Sequence, residues 1–418
     1  MKIILYLCAW LYCATAWASN ADVLTLELAE QAVLSHPAIQ QSEQQARALA
    51  EVPAQVSSLP DPRVSLNVLN IPLSAPSLSR EAMTQTQFGV SQALPYPGKL
   101  DLRAQAADFA AKAASESVAE VRLLLQRNIR MHWWNLLYLD HALETVSRNQ
   151  TLLRQLVRIA DSKYKTGQGL QSDVLLAQLE LSKLLDSEIT LKRARRNEEA
   201  IINSLLQRPA DASITLPATV NEQLNRLPDI GVLHDRALKH RPWLNAQREQ
   251  VSASEARVAL AKKDYYPDFN IGANYGMRAG RSDLTGIMFS MNLPIFSDTK
   301  QDRALAQREA EREAAVFSLQ DRILQIDSDL RQGLSDYESA RKQALLFKTG
   351  IIPQAGQTVA SMLAGYQVSK VDFLNLVQAQ ITHYNYETQY WQALSLAHQA
   401  MARLQATVGT SITESNHE

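Results

Sequence analysis

Residues 267–295 read PDFNIGANYGMRAGRSDLTGIMFSMNLPI. Phe269, Ile271, Ala273, Tyr275 and Met277 alternate with Asn270, Gly272, Asn274 and Gly276. After a short polar stretch, Ile287, Phe289, Met291, Leu293 and Ile295 alternate with Met288, Ser290 and Asn292. An apolar side and a small or polar side at period two, over about ten residues, is the pattern of a membrane-spanning β-strand. The spacing predicts strands over about 268–278 and 284–295, paired as a hairpin. The phase turns Ile287, Phe289 and Met291 toward lipid. It turns Asn270, Asn274, Met288, Ser290 and Asn292 toward the lumen of a barrel. Taken alone, such strands fit a small soluble sheet with one wet face equally well.

A second, less regular pair lies upstream. Val64, Leu66 and Val68 alternate with Ser65 and Asn67, and Phe88 and Val90 with Gln87, Gly89 and Ser91. Strands are predicted over about 63–71 and 84–94. Prolines flank both hairpins and are otherwise rare. None occurs between Gly98 and Arg208, and Pro353 alone between Ile295 and the C-terminus. Proline breaks helix interiors, so the proline-free tracts are candidate long helices. Val316, Leu319, Ile323, Ile326, Leu330, Gly333, Tyr337, Ala340, Ala344, Phe347 and Ile351 keep a 3-4 spacing. Val174, Ala177, Leu181, Leu184, Leu191, Ile202 and Leu205 fit the same scheme, interrupted by Glu188, Arg195 and Glu198. Sustained spacing of this kind argues coiled coil; the plainer alternative is an antiparallel bundle.

The chain also repeats itself. Leu28, Ala32, Val33 and Pro37 return as Leu233, Ala237, Leu238 and Pro242. Pro60-Asp61 returns as Pro267-Asp268, and Leu94-Pro95 as Leu293-Pro294. Tyr164, Asp173, Val174, Leu175, Ala177 and Gln178 return as Tyr366, Asn375, Leu376, Val377, Ala379 and Gln380. The first repeat is predicted over 19–230 with a coiled-coil hairpin at about 99–207. The second covers 231–418 with a hairpin at about 299–408. At about 1.5 Å per residue, helices over 99–163 and 299–365 each reach roughly 100 Å. The pieces 170–207 and 231–264, end to end, match the first. The pieces 371–408 and 25–58 match the second. The expected class is mainly α with a membrane β-barrel, a duplicated helix–β-hairpin–long coiled-coil hairpin. Four strands cannot close a barrel, and open edges do not occur in lipid. Three copies supply twelve strands, so a homotrimer is expected, with an α-helical tunnel below its barrel.

Composition agrees with an exported, non-catalytic chain. Of 418 residues, 42 are basic and 43 acidic, a net charge of -1, which offers no basic face for nucleic acid. Lys2, the apolar run Ile3 to Ala16 and Ala16-Trp17-Ala18 read as a signal peptide over 1–18. Its removal would take away both cysteines, Cys8 and Cys13. The remainder would then have no disulfide, thiolate metal site or cysteine nucleophile. No phosphate-cradling loop, nucleophile elbow or metal-ligand spacing appears, so no cofactor and no bound metal is expected. His132 and His141 stand nine apart, and His36 and His240 precede prolines. All four read as structural or solvated. Met288 is conceivable as a metal-relay thioether but more often such a residue fills space.

Over essentially its whole length past residue 18, the chain resembles the TolC-like outer-membrane factors. The duplicated layout and the two turn segments, Tyr164 to Gln178 and Tyr366 to Gln380, carry the resemblance. Leu59-Pro60-Asp61-Pro62, the run Pro95 to Lys99 and Val371-Asp372-Phe373-Leu374 are similar to its CzcC- and CusC-like heavy-metal branch. The family implies a passive outer-membrane exit duct with a periplasmic helical extension. It implies docking through a periplasmic adaptor to an inner-membrane pump, often proton-driven, and export of small toxic solutes, heavy-metal cations among them. It also implies that the two turns are periplasmic tips, where the tunnel narrows and the adaptor binds. The tip residues are Tyr164, Lys165, Gly167 and Asp173 in one half, and Tyr366, Ser369, Lys370, Asp372 and Asn375 in the other. Ser369 stands where the family has glycine, and Asn375 where it has aspartate. Two other readings compete: a pore-less exported coiled-coil scaffold, and an exported cell-wall hydrolase. The scaffold leaves the strand hairpins unexplained; the hydrolase needs a pocket of acid/base residues.

Overall fold

The structure is a computed structural model that describes residues 23–412. The expected signal peptide lies outside the described residues. The chain divides into two compact units. One is built from residues up to His36, Leu125–Arg226 and Gly333–Arg403. The other is built from Pro37–Leu124, Leu227–Gln332 and the chain from Leu404 on. Among the described residues, no helix is long and apolar enough to cross a membrane.

The second unit holds the sheet. Strands β1 (Arg63–Leu69), β2 (Gln85–Leu94), β3 (Phe269–Met277) and β4 (Leu284–Met291) pair antiparallel in sequence order. Residues directly opposite in such a ladder point to the same side. Val64, Val90, Ala273 and Ile287 form one row across all four strands. Leu66, Phe88 and Tyr275 lie in another row on that face. Ser65, Gly89, Asn274 and Gly286 form a row on the opposite face. The apolar face is uncovered within the chain: Val64 is 75% exposed and Ile287 90%. β1 and β4 each keep one unpaired edge. β4 stops at Met291, short of the expected 295. Asn292 still donates its amide to Asp268 O, but Pro294 has no N–H to continue a ladder. β1 likewise ends at Leu69, where Asn70 takes a positive φ of 58°.

Helix α4 (Lys99–Lys165) begins where β2 ends, and its first residue locks strand to helix. Lys99 is only 3% exposed. Its Nζ lies 3.1 Å from Asp264 Oδ1 and 3.0 Å from Asp268 Oδ1. Asp268 Oδ1 also accepts from the Tyr96 amide at 2.7 Å, and Tyr96 stacks on Tyr266 at 4.5 Å. Burial works against the Asp268 charge, but the Tyr96 amide and the Lys99 ammonium overcome it and hold the carboxyl below its usual range. Lys99→Met would leave two carboxylates facing one another. It should cost about 2 kcal/mol at neutral pH, the size of a lost charged hydrogen bond. A depressed carboxyl contributes its full stability above its unfolded value of 3.8 and loses it as pH falls through the lower folded value, so the deficit should shrink as pH drops below about 4. Thermal unfolding in detergent at pH 7 and pH 3.5 measures both.

The remaining helices depart from the expected tracts at prolines. The expected 25–58 helix is three helices, α1 (Leu26–Ala32), α2 (Pro37–Ala50) and α3 (Val52–Ser57). Pro37 begins a new helix after the extended His36. The expected 231–264 helix is two, α6 (Ile230–His240) and α7 (Pro242–Lys263), divided at Arg241-Pro242. In both repeats the proline, with no N–H to offer, starts a helix at its first turn. Helix α5 (Gln171–Leu205) runs unbroken. After β4, α8 (Gln301–Leu346) passes through a π-helical stretch, Phe347–Ile351, into α9 (Ile352–Gln367). Pro353 thus does not break this helix; the wider turn absorbs the missing hydrogen bond. Helix α10 (Phe373–Val408) closes the order.

The first unit has a core of Trp133, Trp134, Leu136, Ile202, Ala393 and Leu394 among others. Trp133 Nε1 donates to Leu24 O at 2.9 Å. The three charges that interrupt the α5 heptad are paired. Glu188 accepts from Gln150 at 2.7 Å, and Glu198 meets His132 Nδ1 at 2.6 Å. Arg195 bridges Asp140 and Glu199, whose Oε1 also accepts the Ile214 amide at 3.0 Å. His398 stacks on Trp134 at 3.6 Å, and His141 on Trp391 at 3.5 Å.

Candidate functional site

The two expected tips both lie in the first unit and share one backbone design. At the end of α4, Gly167 takes φ +70°. Its amide bonds to Tyr164 O at 3.0 Å, and the Gln168 amide to Lys163 O at 2.8 Å. At the end of α9, Ser369 takes φ 56°. Its amide bonds to Tyr366 O at 3.1 Å, and the Lys370 amide to Gly365 O at 2.9 Å. Each is a Schellman cap, with a left-handed residue closing the helix and satisfying its last carbonyls. The duplicated Tyr-x-x-Gly and Tyr-x-x-Ser strings are the sequence of that cap. Glycine meets the left-handed geometry freely; serine carries a steric cost of roughly 1–2 kcal/mol there.

Side chains then break the symmetry. Tyr164 is 46% exposed, while Tyr366 is 4% exposed and packs on Phe373 at 5.2 Å. Tyr366 belongs to a cluster with Leu153, Leu156, Ala177, Leu376 and Val377. Burial, with the Asp173 charge nearby, raises its phenol above the ordinary range. Lys163 ties the two turns together. Its Nζ donates to Tyr366 O at 2.8 Å and to Ser369 Oγ at 3.3 Å, and stands 4.3 Å over the Tyr366 ring. Lys163 is absent from the sequence-derived site. It aligns with Gly365 in the repeat, so the pattern that revealed the tips could not point to it. Lys165 turns back to Asp161 on its own helix at 2.7 Å. Asp173 sits in the first turn of α5. Lys370, Asp372 and Asn375 are exposed.

In the second unit, the sheet brings Asn270, Asn274, Met288 and Ser290 onto its polar face. Met288 lies opposite Gly272, and Ser290 opposite Asn270. Asn292 lies past the end of β4. Within the strands, the polar face carries one charge, Arg63. Among the described residues, no group of three or more His, Cys, Asp or Glu side chains is arranged to hold a metal.

Residues 233–410 match the family described as outer membrane efflux protein. The chain is 21% identical to the cobalt-zinc-cadmium resistance protein CzcC of Cupriavidus metallidurans, over 75% of this chain and 74% of that one. Its fold matches the solved outer membrane protein VceC of Vibrio cholerae with a TM-score of 0.79 at 17% identity, covering 93% and 97% of the two chains. It matches CusC with a TM-score of 0.80 at 14% identity, covering 96% of each. The fold is thus that of the solved outer-membrane proteins VceC and CusC.

Proposed function

We propose that three copies close into a twelve-stranded barrel and form the passive exit channel of a tripartite efflux system. A periplasmic adaptor and a proton-driven inner-membrane pump supply the rest, and the cargo is small toxic solutes, heavy-metal cations in particular. One observation carries the reading: an apolar, exposed sheet face, an almost uncharged polar face, and two open edges in one chain. Lipid requires the edges to pair, and only further copies can supply strands. The relative named for cobalt, zinc and cadmium resistance supports the choice of cargo. Native mass spectrometry in detergent should show three chains; a stable, conducting monomer would sink the trimer. A deletion strain, complemented by the parent gene, should be sensitised to metal ions in a panel that includes organic toxicants. Sensitivity confined to the organic compounds would overturn the metal assignment.

The tips serve as gate and adaptor contact in this reading. Three copies bring six Schellman turns around one axis, with Asp173 and Asp372 of each copy close to it. Exposed ion pairs contribute about a kilocalorie or less each, which suits a closure that a docked adaptor must undo. Asp173→Ala combined with Asp372→Ala should raise single-channel conductance in planar bilayers. A cysteine replacing Ser369 should crosslink between protomers and block export. Parental conductance together with no crosslink would place the constriction elsewhere.

A further inference from the structure

All four glycines of the strands, Gly89, Gly272, Gly276 and Gly286, lie on the polar face of the sheet, and none on the apolar face. Glycine weakens a strand interior, and its recurrence there marks a close approach by something else. Here the approaching groups are polar side chains of neighbouring strands. Gly286 stands directly opposite Asn274, and a methyl group on it would lie 2.5 Å from Asn274 Oδ1. Gly89 stands opposite Ser65, and a methyl there would lie 2.6 Å from Ser65 Oγ. Gly276 lies diagonally from Gln85, and a methyl on it would overlap Gln85 Oε1. That oxygen is fully covered. Non-bonded heavy atoms settle at about 3.5–4.0 Å, so these side chains occupy the space that a methyl would take. They lie down across the sheet instead of standing up from it.

We propose that two of these glycines, Gly276 and Gly286, set the bore of the channel, each a berth in which the amide side chain of a neighbouring strand, Gln85 or Asn274, reclines. The inference rests on the reading above, that the polar face lines the lumen. A methyl at Gly276 must displace the flexible end of Gln85, and the open side is the lumen. Three protomers would then raise three amides at one level. Cargo in the parent channel meets a wall of amides and hydroxyls laid flat, with little charge, so that this level sorts solutes by size.

The test uses the full-length protein in intact cells with Ser290→Cys as a reporter and the parent as blank. Ser290 lies near the helix-proximal end of β4, while Gly276 and Gly286 lie near the 278–283 turn. A reagent entering from outside must therefore pass the glycine level to reach the cysteine. Maleimides bearing polyethylene glycol tails of increasing length are added outside. Gly276→Ala should abolish labelling by the longest tails that the Ser290→Cys channel admits, while the shortest still react. Adding Gln85→Ala to that variant should restore the original cut-off. Gln85→Ala alone should leave the cut-off unchanged, since the side chain already lies outside the bore. A cut-off that Gly276→Ala does not move overturns the proposal. So does a wider cut-off in Gln85→Ala alone, a measurement available even if Gly276→Ala fails to assemble. Absence of any labelling in the Ser290→Cys channel would instead overturn the assignment of this face to the lumen.

Discussion

Arginine in place of Phe289 should cost about 2–4 kcal/mol and deplete the protein from the outer membrane, whereas arginine at Ser290 should leave folding intact. The two residues are adjacent, so local strand propensity is the same for both. What differs is the face. Phe289 is opposite Ile271 and stacks near Phe269 at 5.8 Å, on the apolar side. A guanidinium there must either enter hydrocarbon or bend the strand to reach the interface. Ser290 faces Asn270 across the polar side, where an added charge meets water. In the proposed trimer, three arginines in one ring should then shift ion selectivity toward anions. Denaturant titration in detergent micelles reads the first effect, and reversal potentials in a salt gradient read the second. Equal loss of stability at both positions would show that the sheet does not lie in lipid with this phase.

Acidification should weaken the helical unit through His398. Burial lowers its pKa from 6.5 to about 4. Its Nε2 is buried with no hydrogen-bond partner among the described residues, and its ring lies against Trp134 at 3.6 Å. The folded protein thus holds this histidine neutral, while the unfolded chain protonates it below pH 6.5. The stability it contributes is complete above that value. It is lost as pH falls toward the folded pKa, by about 3 kcal/mol at pH 4. His398→Phe keeps a ring for the stack and removes the titration. Melting temperatures of the parent should therefore fall faster between pH 6.5 and 4 than those of the variant. Parallel curves would mean that the ring is protonated, or reached by water, in the folded state.

Much of this architecture is written locally. Alternation over 269–277 gave the strand and its facing, because period two maps directly onto two sides of a sheet. The two capped turns were legible because a left-handed cap imposes a residue choice at one position, and the chain states it twice. The helix divisions at Pro37 and Pro242 stand in the sequence as prolines, yet the pieces 25–58 and 231–264 each run straight across one. What remained hidden depends on partners distant in sequence. Glu188, Arg195 and Glu198 looked like faults in a heptad. They are satisfied by Gln150, Asp140 and His132, 38 to 66 residues away. Tyr164 and Tyr366 are interchangeable as letters, but only one meets a hydrophobic cluster. Lys163 acts across 203 residues, on a carbonyl that no pattern advertises.

The pairing of β2 with β3 carries a consequence for how the molecule came to be. That ladder joins the two repeats inside one polypeptide. A shorter ancestor with a single hairpin would have had to find the same neighbour by association, six identical subunits around a ring. Fusion of two such genes would make that junction permanent and, in the proposed trimer, lower the symmetry from sixfold to threefold. Once the halves are no longer obliged to be identical, each can drift alone. One keeps a glycine at its cap and an outward tyrosine. The other accepts a serine, draws its tyrosine inward, and takes a lysine from its sibling to hold the pair.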